Sequence, residues 1–380
     1  MNQPLLSGLR ILSVEQYGAG PYGTQLLSDL GAEVIKIEDP QRGGDVSRSV
    51  GPYMLGDGDS EFFQTFSKGK KSIALDLKSD EGRAAFEALV KTADAVANNL
   101  RGDQQAKLGI TFEVLQTINP KIVCAHLSAY GRDNERAAWP GYDYLMQAEA
   151  GFMTMTGEPD GPPVRFGLSM VDFHTGSHLA TALLAGVLSA QKTGEGCDVD
   201  VSLFDTALHQ LSYPATWYLN QAHVTGRLKR GAHPSIAPSQ LVRTQDGWGL
   251  LMCQTPKFWT IWCEVSGATD LVDDQRFKDT ASRRKNLDAL TEAVDAVMMK
   301  DTTANWMDRL GGKAPFAPVL DIAEALENPY VQAIDMIETV DHPEATNGLR
   351  TLASPFRVNG QRPANTRAPK LGEHTEELLK

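Results

Sequence analysis

Three short segments at the start of the chain constrain its fold more than any other feature. Residues 9–15 form a mainly apolar run typical of a strand, and 33–38 form a second run rich in β-branched residues. Between them, residues 21–30 have helical spacing and begin with a proline at the first turn. Strand, helix and strand in this order form a βαβ unit. The sequence therefore predicts an α/β fold with a parallel sheet and helices on its faces.

The same alternation continues through the first 200 residues. Further strands are predicted at 72–77, 95–98 and 122–128, and helices at 80–92 and 112–118. An alanine-rich helical run follows at 177–191. The sequence therefore predicts α/β structure for this whole part of the chain.

A break at residues 226–238, rich in Gly, Pro, Arg and His, indicates a domain boundary. The region beyond it predicts a hairpin around Asp246-Gly247. It also predicts helices at 256–265, 286–299 and 302–310. From about Tyr330 the chain is proline-rich, and we predict irregular structure there.

Bulk composition narrows the class of protein. With 380 residues, of which 42% are hydrophobic, the chain can form a large core and two domains. The formal net charge of −12 argues against a nucleic-acid partner, because phosphate binding needs a basic face. The sequence has neither an apolar run of 18 residues nor a signal-peptide pattern, so we expect a soluble cytoplasmic protein without a membrane partner.

The four cysteines lack CxxC spacing, and we expect buried free thiols rather than disulfides or zinc ligands.

A glycine-rich turn follows the first predicted strand. Gly18-Ala-Gly20-Pro-Tyr-Gly23 matches the pattern GxGxxG, in which the backbone can approach a pyrophosphate at a helix N-terminus. However, Pro21 removes one backbone donor, and Glu38 can end a strand in water as well as bind a ribose. Two interpretations stay open: a nucleotide or pyrophosphate ligand, including a nicotinamide cofactor, or close packing of the helix.

Asp172 lies between a glycine-punctuated segment and the helical run. Near the N-terminus of a helix its ionised form gains about 0.3–1 kcal/mol from the helix dipole, so we expect a charged, nucleophilic carboxylate at neutral pH. Asp is also a common helix cap, which is the alternative interpretation. Asp172, His174 and His178 can also be considered a metal trio, but Gly176 separates them and no fourth ligand follows by spacing.

Positive charge is concentrated near the glycine-rich turn of this acidic chain. The basic residues are Lys36, Arg42, Arg48, Lys68, Lys70, Lys71 and Lys78. Either a solvated surface or a site for a phosphorylated ligand would account for them. The chain contains no GxSxG, Walker A or HExxH motif, which argues against a serine hydrolase, a P-loop protein and a zincin.

Taken together, these segments resemble the class III coenzyme A transferases, the CaiB/BaiF-type family that includes formyl-CoA transferase, carnitine-CoA transferase and α-methylacyl-CoA racemase. The resemblance covers nearly the whole chain. Its motifs here are Leu6-Ser-Gly-Leu-Arg-Ile-Leu, Ala19-Gly-Pro21, Leu30-Gly-Ala-Glu-Val-Ile-Lys-Ile-Glu38, Gly44-Asp45 with Arg48, Lys70-Lys-Ser-Ile-Ala-Leu-Asp-Leu-Lys78, Asn119-Pro120, Thr156-Gly157 with Gly161-Pro-Pro163, Thr193-Gly-Glu-Gly196 and Leu371-Gly-Glu-His374.

The resemblance implies a Rossmann-like large domain at 1–225, completed by about 326–380, and a small domain at 226–325. It also implies an interlocked-ring homodimer. In the transferases, the aspartate at the position of Asp172 is the nucleophile. It attacks an acyl-CoA thioester to give a mixed anhydride, and the released CoA then forms an aspartyl-CoA thioester. Coenzyme A enters as a substrate, and no cofactor is implied.

The resemblance also implies which residues contact coenzyme A. They are Gly18, Ala19, Arg42, Leu75, Lys78, Asn99, Leu100, Arg101 and Lys107. The chain departs from the family pattern in three places. Asn99-Leu-Arg-Gly-Asp103 replaces Asn-Phe-Arg-Pro-Gly, Gly18 replaces a glutamine, and Asp39 replaces a basic residue for which we expect Arg42 to substitute.

The racemases of the family need a histidine immediately before an aspartate, and here that position is Tyr142. A phenol with a reference pKa of about 10 is a poor substitute for an imidazole, so we predict a transferase that uses an acyl-CoA and a small carboxylic acid. A racemase and a non-catalytic CoA-binding protein are the alternatives. Tyr142, Arg227 and His233 are candidate substrate-binding residues, and the last two suggest a dicarboxylate. A basic linker surface would explain those two equally well.

Overall fold

The protein is described by a computed structural model that covers residues 3–380. In these residues the strands are β1 Arg10–Val14, β2 Glu33–Glu38, β3 Met54–Gly56, β4 Asp59–Ser60, β5 Lys71–Ala74, β6 Ala95–Asn98, β7 Val123–Ser128, β8 Cys197–Ser202, β9 Gln240–Arg243, β10 Trp248–Leu251, β11 Phe316–Pro318, β12 Ile337–Val340 and β13 Leu349–Leu352. The helices are α1 Ala19–Asp29, α2 Glu61–Ser67, α3 Asp80–Val90, α4 Phe112–Leu115, α5 Asp143–Glu149, α6 Phe152–Met155, α7 Met170–Thr193, α8 Leu203–Gln210, α9 Ser212–Gln221, α10 Pro256–Ser266, α11 Asp270–Asp273, α12 Thr280–Lys285, α13 Leu287–Met298, α14 Thr303–Leu310, α15 Ile322–Glu327, α16 Pro329–Ala333 and α17 Thr375–Leu378.

The chain forms two compact units, and each is described by itself. The first contains the described residues up to Ala150 together with Gly167–Ser212 and Pro329–Lys380, and the second contains Gly151–Phe166 and Tyr213–Asn328. The sequence prediction placed the boundaries at 225/226 and 325/326. In the structure the chain passes between the units at 212/213 and 328/329, and it also enters the second unit at 151–166.

The first unit is built on a six-stranded parallel sheet with the order β5-β2-β1-β6-β7-β8. Successive strands extend the sheet outward from β1 on one side and then from β6 on the other. The order therefore reverses between β1 and β6, and a crevice forms at the carboxyl ends of these strands. The predicted α/β fold with a parallel sheet is confirmed, and β2 and β6 have the predicted bounds.

Glycines allow helices α1 and α7 to approach each other closely. A Cβ atom on Gly23 would lie 2.4 Å from the Gly176 carbonyl oxygen, and one on Gly176 would lie 2.4 Å from the Ala19 carbonyl oxygen. A Cβ atom on Gly20 would lie 2.8 Å from the Asn99 side chain. Close packing therefore accounts for two of the three glycines of the GxGxxG pattern, as in one of the two interpretations of the motif.

Most of the basic residues near the glycine-rich turn are internal, so the prediction of a solvated or ligand-binding basic cluster is wrong for them. The Lys36 ammonium lies 2.7 Å from Asp45, the Lys70 ammonium lies 2.9 Å from Glu15, and all four side chains are buried. Three further residues form ion pairs with acidic partners: Arg48 with Glu38, Lys68 with Glu338, and Lys71 with Glu33 and Glu377. Of the predicted cluster, only Arg42 and Lys78 line the cleft described below.

The second unit contains an antiparallel sheet of order β11-β10-β9. Strands β9 and β10 form the predicted hairpin around Asp246-Gly247, and the three predicted helices correspond to α10, α13 and α14. Trp259 and Trp262 stack with ring centroids 5.1 Å apart in the core of this unit. This unit therefore has an apolar core of its own.

Residues beyond Tyr330 are more regular than predicted, because β12 and β13 pair as an antiparallel hairpin in the first unit. The cysteines are free thiols, and all are buried except the half-buried Cys197. In the part of the chain that the structure describes, no helix is long and apolar enough to cross a membrane.

Candidate active site

A cleft of about 620 Å³ opens at the carboxyl ends of the parallel strands in the first unit. Its walls come from the segments that follow β1, β2, β5, β6 and β7. This is the place where open α/β sheets bind ligands, since the strand order reverses there. The lining residues are Val14, Glu15, Gln16, Tyr17, Gly18, Ala19, Ile37, Glu38, Asp39, Arg42, Gly44, Asp45, Leu75, Asp76, Leu77, Lys78, Asn99, Leu100, Arg101, Gln104, Leu108, Leu127, Ser128, Ala129, Pro140, Gly141, Tyr142, Asp172 and Leu203.

The cleft brings together nearly all of the predicted site residues of the first unit. Those that line it are Gly18, Ala19, Arg42, Leu75, Lys78, Asn99, Leu100, Arg101, Tyr142 and Asp172. Lys107 is the exception, because it is not a lining residue and its ammonium lies 2.5 Å from Asp103. Residues separated by more than 150 positions therefore meet in one cavity.

Asp172 lies in the first turn of α7 and is 9% exposed. The helix begins at Met170 after Ser169, so Asp172 is inside the helix and the capping interpretation is wrong. The close approach of α7 to α1 brings the Asp172 carboxylate against the glycine-rich turn, where a Cβ atom on Gly18 would lie 3.2 Å from Oδ2. Glycine at position 18 therefore leaves open space beside this carboxylate.

Burial, and to a lesser degree the neighbouring carboxylate of Asp143, together raise the pKa of Asp172 to about 7. A rise of the pKa from 3.8 to about 7 disfavours the ionised form by about 4 kcal/mol. This exceeds the stabilisation of the ionised form by the helix dipole, which is about 0.3–1 kcal/mol. The expectation of a fully charged carboxylate at neutral pH is therefore wrong. The group titrates near neutrality.

Asp143 is the site residue that sequence reasoning missed. It begins α5 directly after Tyr142, it is buried, and its Oδ2 accepts a hydrogen bond of 3.0 Å from the backbone N–H of Asp172. The Gln147 amide donates to its other oxygen. The sequence signals were an acidic residue at a helix start, which usually indicates dipole stabilisation, and its place directly after Tyr142, where the racemases have the aspartate of their His-Asp pair. The contact with Asp172 spans 29 residues and depends on the tertiary fold.

The segments after β1 and β6 are held by hydrogen bonds between side chains and the backbone. The Asn99 amide accepts from the Gln16 N–H at 2.9 Å and donates to the Gln16 carbonyl at 2.7 Å. The Tyr17 N–H donates to Asp45, and Tyr17 has a left-handed φ of 68°. The turn before Gly18 is therefore fixed from both sides in a conformation that non-glycine residues seldom adopt.

Exposed donors lie around the opening of the cleft. The Arg42 side chain is 73% exposed and its Nε lies 3.5 Å from Asp39. Arg101 is also exposed, and its Nε lies 3.2 Å from Asp103. Tyr142 is 65% exposed, so its hydroxyl is open to a ligand. Such partly screened cations can bind phosphate without a large desolvation cost.

Arg227 and His233 belong to the second unit. Arg227 donates from Nη1 to the carbonyl oxygens of Gly161 and Pro162, at 2.6 Å each. The His233 Nε2 atom lies 3.0 Å from the Tyr213 hydroxyl. Both side chains therefore have partners within their own unit.

The two histidines after Asp172 have local partners. The His174 Nδ1 atom lies 2.9 Å from the Met170 carbonyl, and the His178 Nδ1 atom lies 3.3 Å from the Thr206 hydroxyl. Among residues 3–380, no group of three or more His, Cys, Asp or Glu side chains is arranged to hold a metal ion.

The fold and the cleft are those of a coenzyme A transferase of class III. A family model described as CoA-transferase family III matches residues 6–375, and the chain belongs to this enzyme family. The succinate–glutarate CoA-transferase of Agrobacterium fabrum is 33% identical, over 99% of this chain and 95% of that protein. The acetyl-CoA:oxalate CoA-transferase of Acetobacter aceti is 34% identical, over 98% of this chain and 94% of that protein. The crystal structure of a CaiB/BaiF family protein from Brucella suis has a TM-score of 0.85 and 29% identity, with full coverage of both chains.

Proposed function

We propose that the protein transfers coenzyme A from an acyl-CoA to a small dicarboxylic acid, with Asp172 as the nucleophile. The observation that carries this proposal is the position of Asp172 in the cleft at the switch point of the sheet, as a buried carboxylate that forms no ion pair in the described part of the chain. Family membership supports the reaction type. The two relatives described above have names that contain glutarate and oxalate, both dicarboxylates.

In the proposed mechanism, the Asp172 carboxylate attacks the thioester carbonyl carbon of the donor, and the carbon–sulfur bond breaks. CoA leaves as a thiolate, and the acyl group is held as a mixed anhydride with Asp172. The thiolate then attacks the aspartyl carbonyl carbon, which releases the donor acid and forms an aspartyl-CoA thioester. Attack by the acceptor carboxylate and return of the thiolate reverse these two steps. Each bond change uses a carboxylate or a thiolate, so the mechanism needs no further cofactor.

Burial of Asp172 has two consequences for this chemistry. It removes water from the carboxylate, which favours nucleophilic attack and protects the anhydride from hydrolysis. It also raises the pKa to about 7, so that the nucleophilic form is populated at neutral pH and above. The space beside Gly18 would accommodate the acyl group during attack.

The cleft offers different surfaces to the parts of coenzyme A. We propose that Arg42, Lys78 and Arg101 contact the phosphates and that Leu75 and Leu100 pack against the nucleoside or pantetheine portion. Gly18, Ala19 and Asn99 would lie beside the pantetheine thiol end, because Gly18 adjoins the Asp172 carboxylate and the other two line the same cleft. Lys107 is less suited to the contact implied by the resemblance, since it does not line the cleft.

The Tyr142 hydroxyl is the proposed donor to the acid substrate, since it is open to solvent in the same cleft as Asp172. Arg227 and His233 remain predicted ligands of a second carboxylate. The remaining donors of the Arg227 guanidinium would serve that purpose.

The proposal is tested by mixing the protein with succinyl-CoA and a panel of acids, followed by chromatography of the CoA esters. We expect transfer to glutarate or oxalate and less transfer to pentanoate and acetate, in which a methyl group replaces the second carboxylate. Mass spectrometry after incubation without acceptor should find the peptide containing Asp172 with CoA attached. Binding of CoA with neither transfer nor adduct would instead indicate a non-catalytic CoA-binding protein.

We also propose that the protein acts in the cytoplasm as an interlocked homodimer, as the family resemblance implies. Interlocked chains assemble as they fold, so unfolding should depend on protomer concentration. Analytical ultracentrifugation is expected to give twice the chain mass of 41.4 kDa. An active species at the chain mass would exclude this assembly.

A further inference from the structure

A completely buried histidine lies behind the cleft and has no place in the proposed mechanism. His126 is on β7, between Asn98 on β6 and Asp200 on β8 in the register of the sheet. Its Nδ1 atom lies 2.6 Å from the amide nitrogen of Asn98, which is also fully buried. Its Nε2 atom lies 3.0 Å from a carboxylate oxygen of Asp198, without the alignment of a hydrogen bond.

The partners of Asn98 determine which imidazole nitrogen carries the proton. The Asn98 Oδ1 atom accepts from the Leu100 N–H at 3.4 Å and from the Gln105 amide at 3.2 Å. The amide NH₂ of Asn98 therefore faces His126, so Nδ1 must accept and the proton is on Nε2, beside Asp198. The Asp198 carboxylate is held on its other side by Arg132, at 2.5 Å.

These contacts extend to the walls of the cleft. The Gln105 amide donates both to Asn98 and to the Leu100 carbonyl, at 3.2 Å each, so both backbone groups of Leu100 are tied to this pair. The next residue after Asn98 is Asn99, whose amide exchanges two hydrogen bonds with the backbone of Gln16. Asn98 thus connects the wall after β6 with His126, and Asn99 connects the same wall with the wall after β1.

We propose that His126 is a positioning residue for the CoA-binding cleft: by accepting from Asn98 it orients the dipeptide Asn98-Asn99 and thereby both walls. The inference rests on the proposed function, because it assumes that coenzyme A binds between these walls. His126 and Gln105 do not line the cleft themselves. Their effect on the ligand is therefore exerted through the backbone of Leu100 and the turn before Gly18.

Two substitutions of His126 distinguish the roles of its two imidazole nitrogens. In His126→Asn the side-chain oxygen can occupy the place of Nδ1 and accept from Asn98. In His126→Gln the longer side chain reaches the place of Nε2 and leaves the Asn98 amide without its acceptor. We expect the asparagine variant to retain CoA affinity within about threefold and the glutamine variant to lose about tenfold, as for one lost buried hydrogen bond.

The measurements are the Kd of free CoA by calorimetry, KM and kcat with an acyl-CoA and acid pair, and thermal unfolding. A positioning role predicts that His126→Gln raises Kd and KM more than it lowers kcat. Equal affinity of the glutamine and wild-type proteins would overturn the inference, even if the variant unfolds at a lower temperature. Equal losses in both variants would also overturn it, because the acceptor at Nδ1 would then not matter.

Gln105→Met provides a second test if His126→Gln fails to fold. Gln105 lies at the opposite end from His126 of the hydrogen bonds around Asn98. The substitution removes the donor to Leu100, and we expect a similar loss of CoA affinity. When both single variants fold, the double variant should lose little more than either one, since all three break the same connection. Fully additive losses would contradict the inference. A wild-type protein that does not bind CoA would overturn the proposed function itself, and this inference with it.

Discussion

Two groups of buried acids lie side by side at the carboxyl ends of the strands in the first unit, and they differ in their partners. Glu15, Glu38 and Asp45 each face a cation at 2.7–2.9 Å. Asp143 and Asp172 face each other instead, and in the described part of the chain no cation forms an ion pair with either of them. The negative charge of a buried carboxylate is thus compensated by a cation in the first group but not in the second. We call the two groups the compensated and the uncompensated acids.

The pKa values of these acids show the effect of a paired cation. Burial disfavours ionisation of Asp45, but the charge of Lys36 and the hydrogen bonds to the carboxylate together outweigh burial and lower its pKa. Arg48 and Lys36, with a hydrogen bond from Ser72, do the same for Glu38. Burial of Asp172 is reinforced by Asp143, and its pKa rises to about 7. Among the compensated acids, Asp45 accepts from the Tyr17 N–H and holds the turn before Gly18 in place. The uncompensated Asp172 is free to exchange protons and to react. We therefore assign a structural role to the first group and the chemistry to the second.

The largest effect is expected from removal of the uncompensated acid. Asp172→Ala should fold normally and lose CoA transfer by about three orders of magnitude or more, because the covalent route is eliminated. The measurement is turnover with an active acyl-CoA and acid pair, together with circular dichroism. If clean Asp172→Ala protein kept more than a few per cent of the activity, Asp172 would not be the nucleophile.

Removal of a compensating cation should affect stability instead. Lys36→Met leaves Asp45 buried without its partner, and we expect a loss of about 3–5 kcal/mol in the free energy of unfolding. Lys71→Met on the neighbouring strand is the matched control, since Lys71 pairs with Glu33 and Glu377 near the surface and should cost about 1 kcal/mol or less. Denaturant unfolding at one protein concentration measures both. If Lys36→Met and Lys71→Met lost similar amounts of unfolding free energy, a buried acid would not depend on its cation, and the compensated acids would not differ from the uncompensated ones in this respect.

The sequence predicted the parallel sheet, because hydrophobic runs and helical spacing are local signals. It also predicted most cleft residues, but only through the family resemblance. It failed for the internal cations, since Lys70 and its partner Glu15 are 55 positions apart. Lys36 did carry a signal: it lies within the strand Glu33–Glu38 of a parallel sheet, and such strands are buried on both faces.

The hairpin of β12 and β13 was missed for a related reason. Each strand is only four residues long, and Val340 and Leu349 are the only buried side chains among the eight. The alternation of apolar and polar residues is therefore too weak to distinguish these strands from a proline-rich loop. The charge state of Asp172 was missed because its burial and its contact with Asp143 arise from tertiary packing.

The pH dependence of stability should reveal the uncompensated acid directly. The folded pKa of Asp172 is about 7 and the unfolded value is near 3.8, so the folded protein binds the proton more tightly. Wild-type stability is therefore lost as the pH rises from about 4 through 7, and Asp172→Asn lacks this loss. Relative to wild type, the variant should gain about 3 kcal/mol between pH 5 and pH 8, with a slope near 1.4 kcal/mol per pH unit that applies only below about pH 7. Comparing both proteins at each pH cancels other titrating groups, including Lys70, whose pKa burial lowers to about 8. A constant difference across this range would mean that Asp172 titrates normally.

The smallest expected effect concerns the contribution of Asp143. Asp143→Asn removes the negative charge but keeps an oxygen that can accept from the Asp172 N–H. The pKa of Asp172 should then fall, while burial still keeps it above 3.8. Because the carboxylate is the reactive form, kcat/KM for the acyl-CoA should rise with pH near 7 in the wild type and about one pH unit lower in the variant. Glu149→Gln, an exposed acid at the end of the same helix α5, should leave the profile unchanged. An unshifted profile in Asp143→Asn would show that burial alone sets the pKa of Asp172, and the contrast between the two groups would then depend on solvation rather than on charge pairing.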